Sequence, residues 1–299
     1  MATTQLSLAA FLLVSCPLEA WSAMNLRMFR DPKSSRSKDP AGWAGTTCQT
    51  KATACKYDVQ ALAYENVLKS EDGEDRCLLT KYFEGICDGT YLDLGAVDGV
   101  HHSNTYAMYK LLGWTGVNVE IDPTNFERLI VNRPNDIANV NVAVCSESDG
   151  VHYAPSPDNI ALGGIWEFSS EANREEKWPG VTEYHTIPTK CTPLQSVLDA
   201  SVSAKGKKYY FDFASIDIEG SEISALYGID YDRISFGLIL LEKNGNDDTN
   251  RQVHELLSSK GYDEVTQPCG GQNLMYVNRS FHRIYAKLRN QNFQLRGSS

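Results

Sequence analysis

The sequence predicts a doubly wound α/β fold, a mostly parallel seven-stranded sheet that closes on a C-terminal antiparallel hairpin. Three observations carry that expectation. Seven short runs rich in β-branched and aromatic residues recur from Thr90 onwards, as strands covered on both faces require. Amphipathic stretches of helical length alternate with them, the order expected of parallel strands joined by crossover helices. The last two runs, "YDEVTQ" and "NLMYVNR", are separated only by "PCGGQ". That gap is too short for a crossover helix, so the final strand should enter antiparallel.

Taken in order, the chain begins with "MATTQLSLAAFLLVSCPLEAWSA", which reads as a cleaved export signal over residues 1–22. An apolar run from Leu6 to Val14 precedes small residues, with Ala20 and Ser22 in an A-x-S cleavage pattern. The run falls well short of the roughly 20 residues a membrane-spanning helix needs, so no stable span is expected. Residues 23–42 are basic and serine-rich and contain Pro32 and Pro40, the composition of a flexible linker. One domain is expected over residues 43–299. Helical patterns run from about Lys56 through "DVQALAYENVLKS" and again before Cys87. The strands are then "TYLDLGA", "GVNVEID", "NVNVAVC", "YYFDFASIDIE" and "ISFGLILLEKN", followed by the hairpin pair. Helices fit at Ser103–Leu112, Pro123–Asn132, Pro193–Ser201, Ser221–Tyr227 and Asn250–Lys260. Between residues 145 and 190 the periodicity lapses, which suggests an insertion over the functional edge of the sheet; Trp166 and Trp178 favour an ordered lid.

Composition narrows the function. A net charge of −10 disfavours nucleic acid, because an acidic body repels phosphates. Eight cysteines suit an oxidising compartment, consistent with export to the secretory pathway or beyond the cell. Cys48 with Cys55, and Cys77 with Cys87, are near enough in sequence to pair; Cys145, Cys191 and Cys269 then leave a free thiol. No C-x-x-C occurs, so a zinc ribbon has no support.

In open α/β sheets ligands bind beyond the carboxyl ends of the strands, so the turn after the first strand is the place to look. There "YLDLGAVDGVHHSNTY" places Asp93 at a strand end and Gly95 and Gly99 as G-x-x-x-G. Glycine allows positive φ and close approach of a ligand. The dinucleotide fingerprint G-x-G-x-x-G is absent, which disfavours a nicotinamide oxidoreductase. Glu120 ends the second strand, where a carboxylate can accept both protons of a ribose diol. An adenosine-like ligand without phosphates follows from that pairing, and S-adenosylmethionine has that shape.

These residues also resemble a known family. "YLDLGAVDGVHHSNTYAMYKLLGWTGVNVEIDPTNFERLIVNR", "SIDIEGSEISALYGID" and "GLILLEKN" are similar to the FkbM-type methyltransferases, a branch of the class I S-adenosylmethionine-dependent enzymes. The similarity covers roughly Tyr91 to Val277 outside the insertion, and Val97 stands where many members carry a polar residue. The resemblance implies the Rossmann-like methyltransferase fold, with Asp93, Gly95 and Gly99 along the methionine part of the cofactor and Asp98 and Asn104 among its further contacts; Asn104 alternatively caps the helix or fixes the loop. It implies Glu120 on the ribose, Ala143 near the adenine, and Asp217 facing the methyl-transfer centre.

"DIEGSE" sets Asp217, Glu219 and Glu222 within one strand-to-helix turn. Asp217 and Glu219 share one side of an extended strand, and crowded carboxylates raise one another's pKa towards that of a neutral-pH base. Either Glu219 or Glu222 could instead cap the following helix. His102 is a further candidate base. Asp217, Glu242 and Asn244 carry oxygen ligands, but their spacing requires no metal and none is expected. The expected activity is S-adenosylmethionine-dependent O-methylation of a small molecule or glycan. The competing expectation is a secreted or lumenal binding protein that keeps the fold without turnover. The oligomeric state cannot be read from this sequence.

Overall fold

The computed structural model describes residues 50–147, 150–156, 159–202, 207–243 and 246–294. The export signal, the linker and Asn244 fall outside the described residues, as do Cys16 and Cys48.

The chain starts with strand β1 (Thr53–Ala54) and helix α1 (Val59–Tyr64), followed by α2 (Glu74–Cys77), which runs into a π-helical turn at Leu78–Tyr82. Strand β2 (Ile86–Cys87) pairs antiparallel with β1. Next come β3 (Thr90–Leu94), α3 (Tyr106–Leu112), β4 (Thr115–Glu120), α4 (Pro123–Asn132) and β5 (Ala138–Asn141). The segment after β5 holds β6 (Ala143–Cys145), β7 (Gly150–Ala154), β8 (Gly164–Ile165), α5 (Glu171–Lys177) and β9 (Ile187–Pro193). The chain closes with α6 (Leu194–Ser201), β10 (Tyr209–Ile216), α7 (Glu222–Tyr227), β11 (Ile234–Glu242), α8 (Asp247–Ser259), β12 (Tyr262–Glu264), β13 (Asn273–Asn278) and α9 (Phe281–Gln294).

The main sheet has seven strands in the order β12-β13-β11-β10-β3-β4-β5. All run parallel except β13, which is antiparallel to both β11 and β12, as the short "PCGGQ" connection requires. The central strands carry no polar alternation, because helices cover both faces: every residue of β3, and all but the first of β10, is buried. Local chemistry sets the helix starts. Asp122 caps α4 by accepting from the Asn125 amide at 2.8 Å, with Pro123 in the first turn. Asn246 caps α8, with Asp247 and Asp248 at the positive end of its dipole.

The structure departs from the sequence expectation in one strand, two helices and the cysteine pairs. "NVNVAVC" is two strands, not one. The Val142 amide turns to the Glu120 carbonyl at 3.2 Å, so β5 stays in the main sheet while β6 leaves it for a second sheet of order β6-β9-β7-β8. The insertion is thus an ordered layer, with Trp178 1% exposed. The helix from Lys56 is short, and α9 was not anticipated.

The cysteine pairs also differ. Cys55 joins Cys87 because β1 and β2 lie side by side; Cys77 joins Cys269, 192 residues away; and Cys145 joins Cys191 across β6 and β9. Sequence proximity misassigned both near pairs, since tertiary pairing rather than separation brings the sulfurs together. Cys145, Cys191 and Cys269 are all bonded, contrary to the expected free thiol. Among the described residues no helix is long and apolar enough to cross a membrane.

Candidate active site

A cavity of about 130 Å³ opens at the carboxyl edge of β3, β4 and β10, roughly ten times what one water needs. It lies where the chain turns away from the paired ends of these strands. After β3 the turn passes through Gly95 at φ 82°. A Cβ at Gly95 would collide with the Asp217 carbonyl, so glycine lets the ends of β3 and β10 meet. Val97, His102 and Glu219, all on the wall, have positive φ (48°, 53° and 56°), a conformation that a β-branched valine adopts only under constraint.

Of the residues expected from the sequence, Asp93, Gly95, His102, Asn104, Glu120, Ala143, Asp217 and Glu219 all line this cavity. Asp98 and Gly99 are not among the residues that line it. The Asp98 carboxylate turns back to accept from the amides of Val100 and His101 at 2.9 and 2.7 Å, bracing the turn. Gly99 faces α4, where a Cβ would press on Leu129 and Arg133. The spacing G-x-x-x-G was therefore legible, but its two glycines serve opposite faces of the turn.

Glu120 ends β4 and is 5% exposed. It accepts from the Val97 amide at 2.8 Å and the Asp122 amide at 2.7 Å. Burial nevertheless pushes its pKa up to about 8, against those two hydrogen bonds. Asp93 is likewise raised by burial, with the Thr105 hydroxyl and the Arg133 charge opposing. Asn104 donates to Ser215 Oγ at 3.0 Å and leaves its own buried Oδ1 without a partner. Beside Ala143, the wall is apolar at Ile121, Val142 and Val144, with a face suited to a flat ring.

At the other end stand the carboxylates. Asp217 is exposed at the cavity wall; desolvation by the protein packed around it and the charges of Glu242, Glu219 and Glu222 raise its pKa well above the usual range, with Lys177 opposing. Glu219 rises to about 7, first through burial and then through Glu242, while Lys177 opposes. Lys177, from α5, pairs with Glu219 and lies 3.1 Å from Glu242 Oε1. One oxygen from each of Asp217, Glu219 and Glu242 lies within 4.8 Å of the others, close enough to share a cation. The Lys177 ammonium supplies positive charge to two of them. Glu222 does not reach the cavity. It accepts from the Ile218 and Gly220 amides at 3.2 and 3.1 Å, which braces the turn before α7 and does not cap the helix itself. The His102 ring stacks on His101 and lies 3.4 Å from Glu71 at the rim, away from this cluster's hydrogen bonds.

The inserted layer covers the cavity with residues 159–165. The Asn125 amide holds the Ile160 carbonyl at 2.8 Å, Tyr153 donates to Asp122 at 2.9 Å, and the Trp178 indole donates to the Leu162 carbonyl. The Trp166 ring lies near-parallel to that of Trp178, 6.2 Å away, and the Arg174 guanidinium sits 4.3 Å from its centroid. Lys177, Tyr153 and Ser215 carried no sequence signal; the two tryptophans were the one hint of order.

The buried acids make stability pH-dependent. Their raised pKa values mean the folded chain holds protons that the unfolded chain has released. The contribution is present below the ordinary carboxylate range and is lost as pH rises through about 7 for Glu219 and about 8 for Glu120. Each fully titrating group costs ~1.4 kcal/mol per pH unit in that window. Calorimetry is expected to give a higher Tm at pH 6 than at pH 8.5; no fall in Tm over that range would show that these carboxylates are already ionised in the folded chain.

A seven-stranded sheet in this order, with one reversed strand and an acid-lined cavity at its carboxyl edge, defines a protein of the methyltransferase-like α/β class. A family model described as the methyltransferase FkbM domain matches residues 93–295, and the chain belongs to that family. Among solved structures it is similar to an FkbM methyltransferase from Methylobacillus flagellatus KT, at 15% identity and TM-score 0.36, covering 64% of this chain and 43% of that one. It is also similar to a TehB-like SAM-dependent methyltransferase from Corynebacterium glutamicum ATCC 13032 (11%, TM-score 0.37, covering 74% and 96%). A third is the Methanococcus jannaschii fibrillarin pre-rRNA processing protein (13%, TM-score 0.34, covering 64% and 65%). The chain spans less than two thirds of that fibrillarin and less than half of the FkbM structure. No curated protein matches the chain.

Proposed function

We propose that the chain is an S-adenosylmethionine-dependent methyltransferase that methylates a hydroxyl oxygen of a small molecule or glycan. The observation that carries this reading is the acidic, acceptor-rich lining of the cavity. Six carboxylates (Glu71, Asp93, Glu120, Asp217, Glu219 and Glu242) line it, with no lysine or arginine among the described lining residues. Such a wall suits a ligand bearing an amine, a diol and a positive sulfur, and repels the pyrophosphate of a dinucleotide. The unpartnered Asn104 Oδ1 adds an acceptor waiting for a donor.

When bound, the cofactor supplies a methyl group on a positively charged sulfur. Asp93, Gly95 and Asn104 would hold its methionine end, Glu120 its ribose, and the apolar wall at Ala143 its adenine. Asp217 and Glu219 would take the proton that the acceptor hydroxyl loses as its oxygen attacks. A carboxyl near pH 7 is well matched to that task. Lys177 limits how far the pKa of Glu219 rises.

Export to an oxidising compartment is part of the proposal, supported by the signal-like N terminus and by three disulfides. Calorimetry of the full chain with S-adenosylmethionine, S-adenosylhomocysteine and NAD tests the reading. The first two should bind and NAD should not; silence from both sulfur ligands would remove it. Binding with no turnover on any hydroxyl acceptor would favour the non-catalytic form of the same fold.

A further inference from the structure

Arg133 follows α4 directly and has no access to solvent. A buried guanidinium is costly unless its donors are met, so its partners are informative. Nε donates to the Gly99 carbonyl at 2.7 Å, Nη1 to the Tyr91 hydroxyl at 2.7 Å, and Nη2 to Ser103 Oγ and Thr105 Oγ1 at 2.8 and 3.0 Å. Asp136 is the nearby counter-charge, 3.6 Å from Nη1, and the Tyr109 ring lies 4.8 Å from the guanidinium carbon. Three of these contacts belong to the stretch between β3 and α3 that also supplies the cavity wall.

The direction of the chain of hydrogen bonds is fixed by chemistry. Arginine can only donate, so Thr105 Oγ1 accepts from it and has a single proton to give. That proton goes to Asp93 Oδ2, at 2.6 Å. We propose that Arg133, acting through Thr105, is a positioning residue that aims the Asp93 carboxylate at the methionine end of the cofactor. The guanidinium also favours the ionised form of Asp93, against the opposing charge of Asp136. The inference rests on the proposed assignment of the cavity to S-adenosylmethionine. It explains why Gly99 faces away from the cavity: a side chain there would push Arg133 out of reach. Glu120 is held instead by the Val97 and Asp122 amides, so the ribose end does not hang on this relay.

That separation sets the experiment. S-adenosylhomocysteine and 5′-methylthioadenosine share adenine, ribose and thioether, but the second lacks the amino-acid chain. Their affinities are measured by calorimetry for the full-length wild type, Thr105→Val, Thr105→Ser and Arg133→Met. Thr105→Val keeps the shape and should lose ~10-fold or more for S-adenosylhomocysteine, the scale of a charged hydrogen bond, with 5′-methylthioadenosine nearly unchanged. Thr105→Ser, which keeps the hydroxyl, should restore most of the loss. Arg133→Met should show the same split if it folds; if it does not, the two Thr105 variants decide. Equal weakening of both ligands, or no change in either, would overturn the relay alone. A wild type that binds neither ligand would overturn the cofactor assignment and the relay with it.

Discussion

Replacing Glu120 with alanine is expected to weaken S-adenosylhomocysteine binding by ~1–3 kcal/mol, the range for losing hydrogen bonds to a charged group. Its carboxylate has about four acceptor positions, and the Val97 and Asp122 amides use two of them. Glu120 lines the cavity, so the remaining pair is available to a ribose diol bound there. Protonation gives a second readout. With its pKa at about 8, Glu120 in the free protein is largely protonated at pH 7. A diol favours the ionised form, so binding should expel a proton, and affinity should fall as pH drops below about 8. Titrations in two buffers of different ionisation enthalpy measure that proton. Glu120→Gln, which keeps the shape, should bind weakly and release none. Unchanged affinity in both variants would place the ribose elsewhere.

The second large effect is on stability. Removing the Cys77–Cys269 bond by replacing both residues with serine is expected to cost about 5 kcal/mol, because the bond closes a loop of 192 residues in the unfolded chain. The same change at Cys55 and Cys87, separated by 32 residues, should cost about 4 kcal/mol. Denaturant midpoints of the two double variants test this order. A larger loss for the shorter loop would mean that native packing around the sulfurs, not chain entropy, sets the contribution.

What could be read from the sequence follows physical range. The strands around Leu92, Val119 and Phe213 were legible because burial on both faces leaves an unbroken apolar signature. Asp122-Pro123 announced α4 because a cap acts within one turn. Asp93, Glu120 and Asp217 were legible because a parallel sheet brings its strand ends to one edge. The roles of Arg133 and Lys177 were not, since each depends on contacts 28 to 65 residues away that leave no local pattern. Asp98 and Gly99 show the converse limit: a turn motif specifies backbone shape, and which side of the turn meets the cavity depends on what α4 packs against it.

The base of the inserted layer has a consequence of its own. Cys145 and Cys191 are bonded where β6 and β9 run side by side, so the chain enters and leaves the layer at one fixed point. Length or sequence can therefore change between those cysteines at small entropic cost while the ends stay anchored beside the main sheet. The cover of the cavity is thereby tethered beside the sheet-borne edge that Asp93 and Glu120 form, whatever sequence lies between the two cysteines.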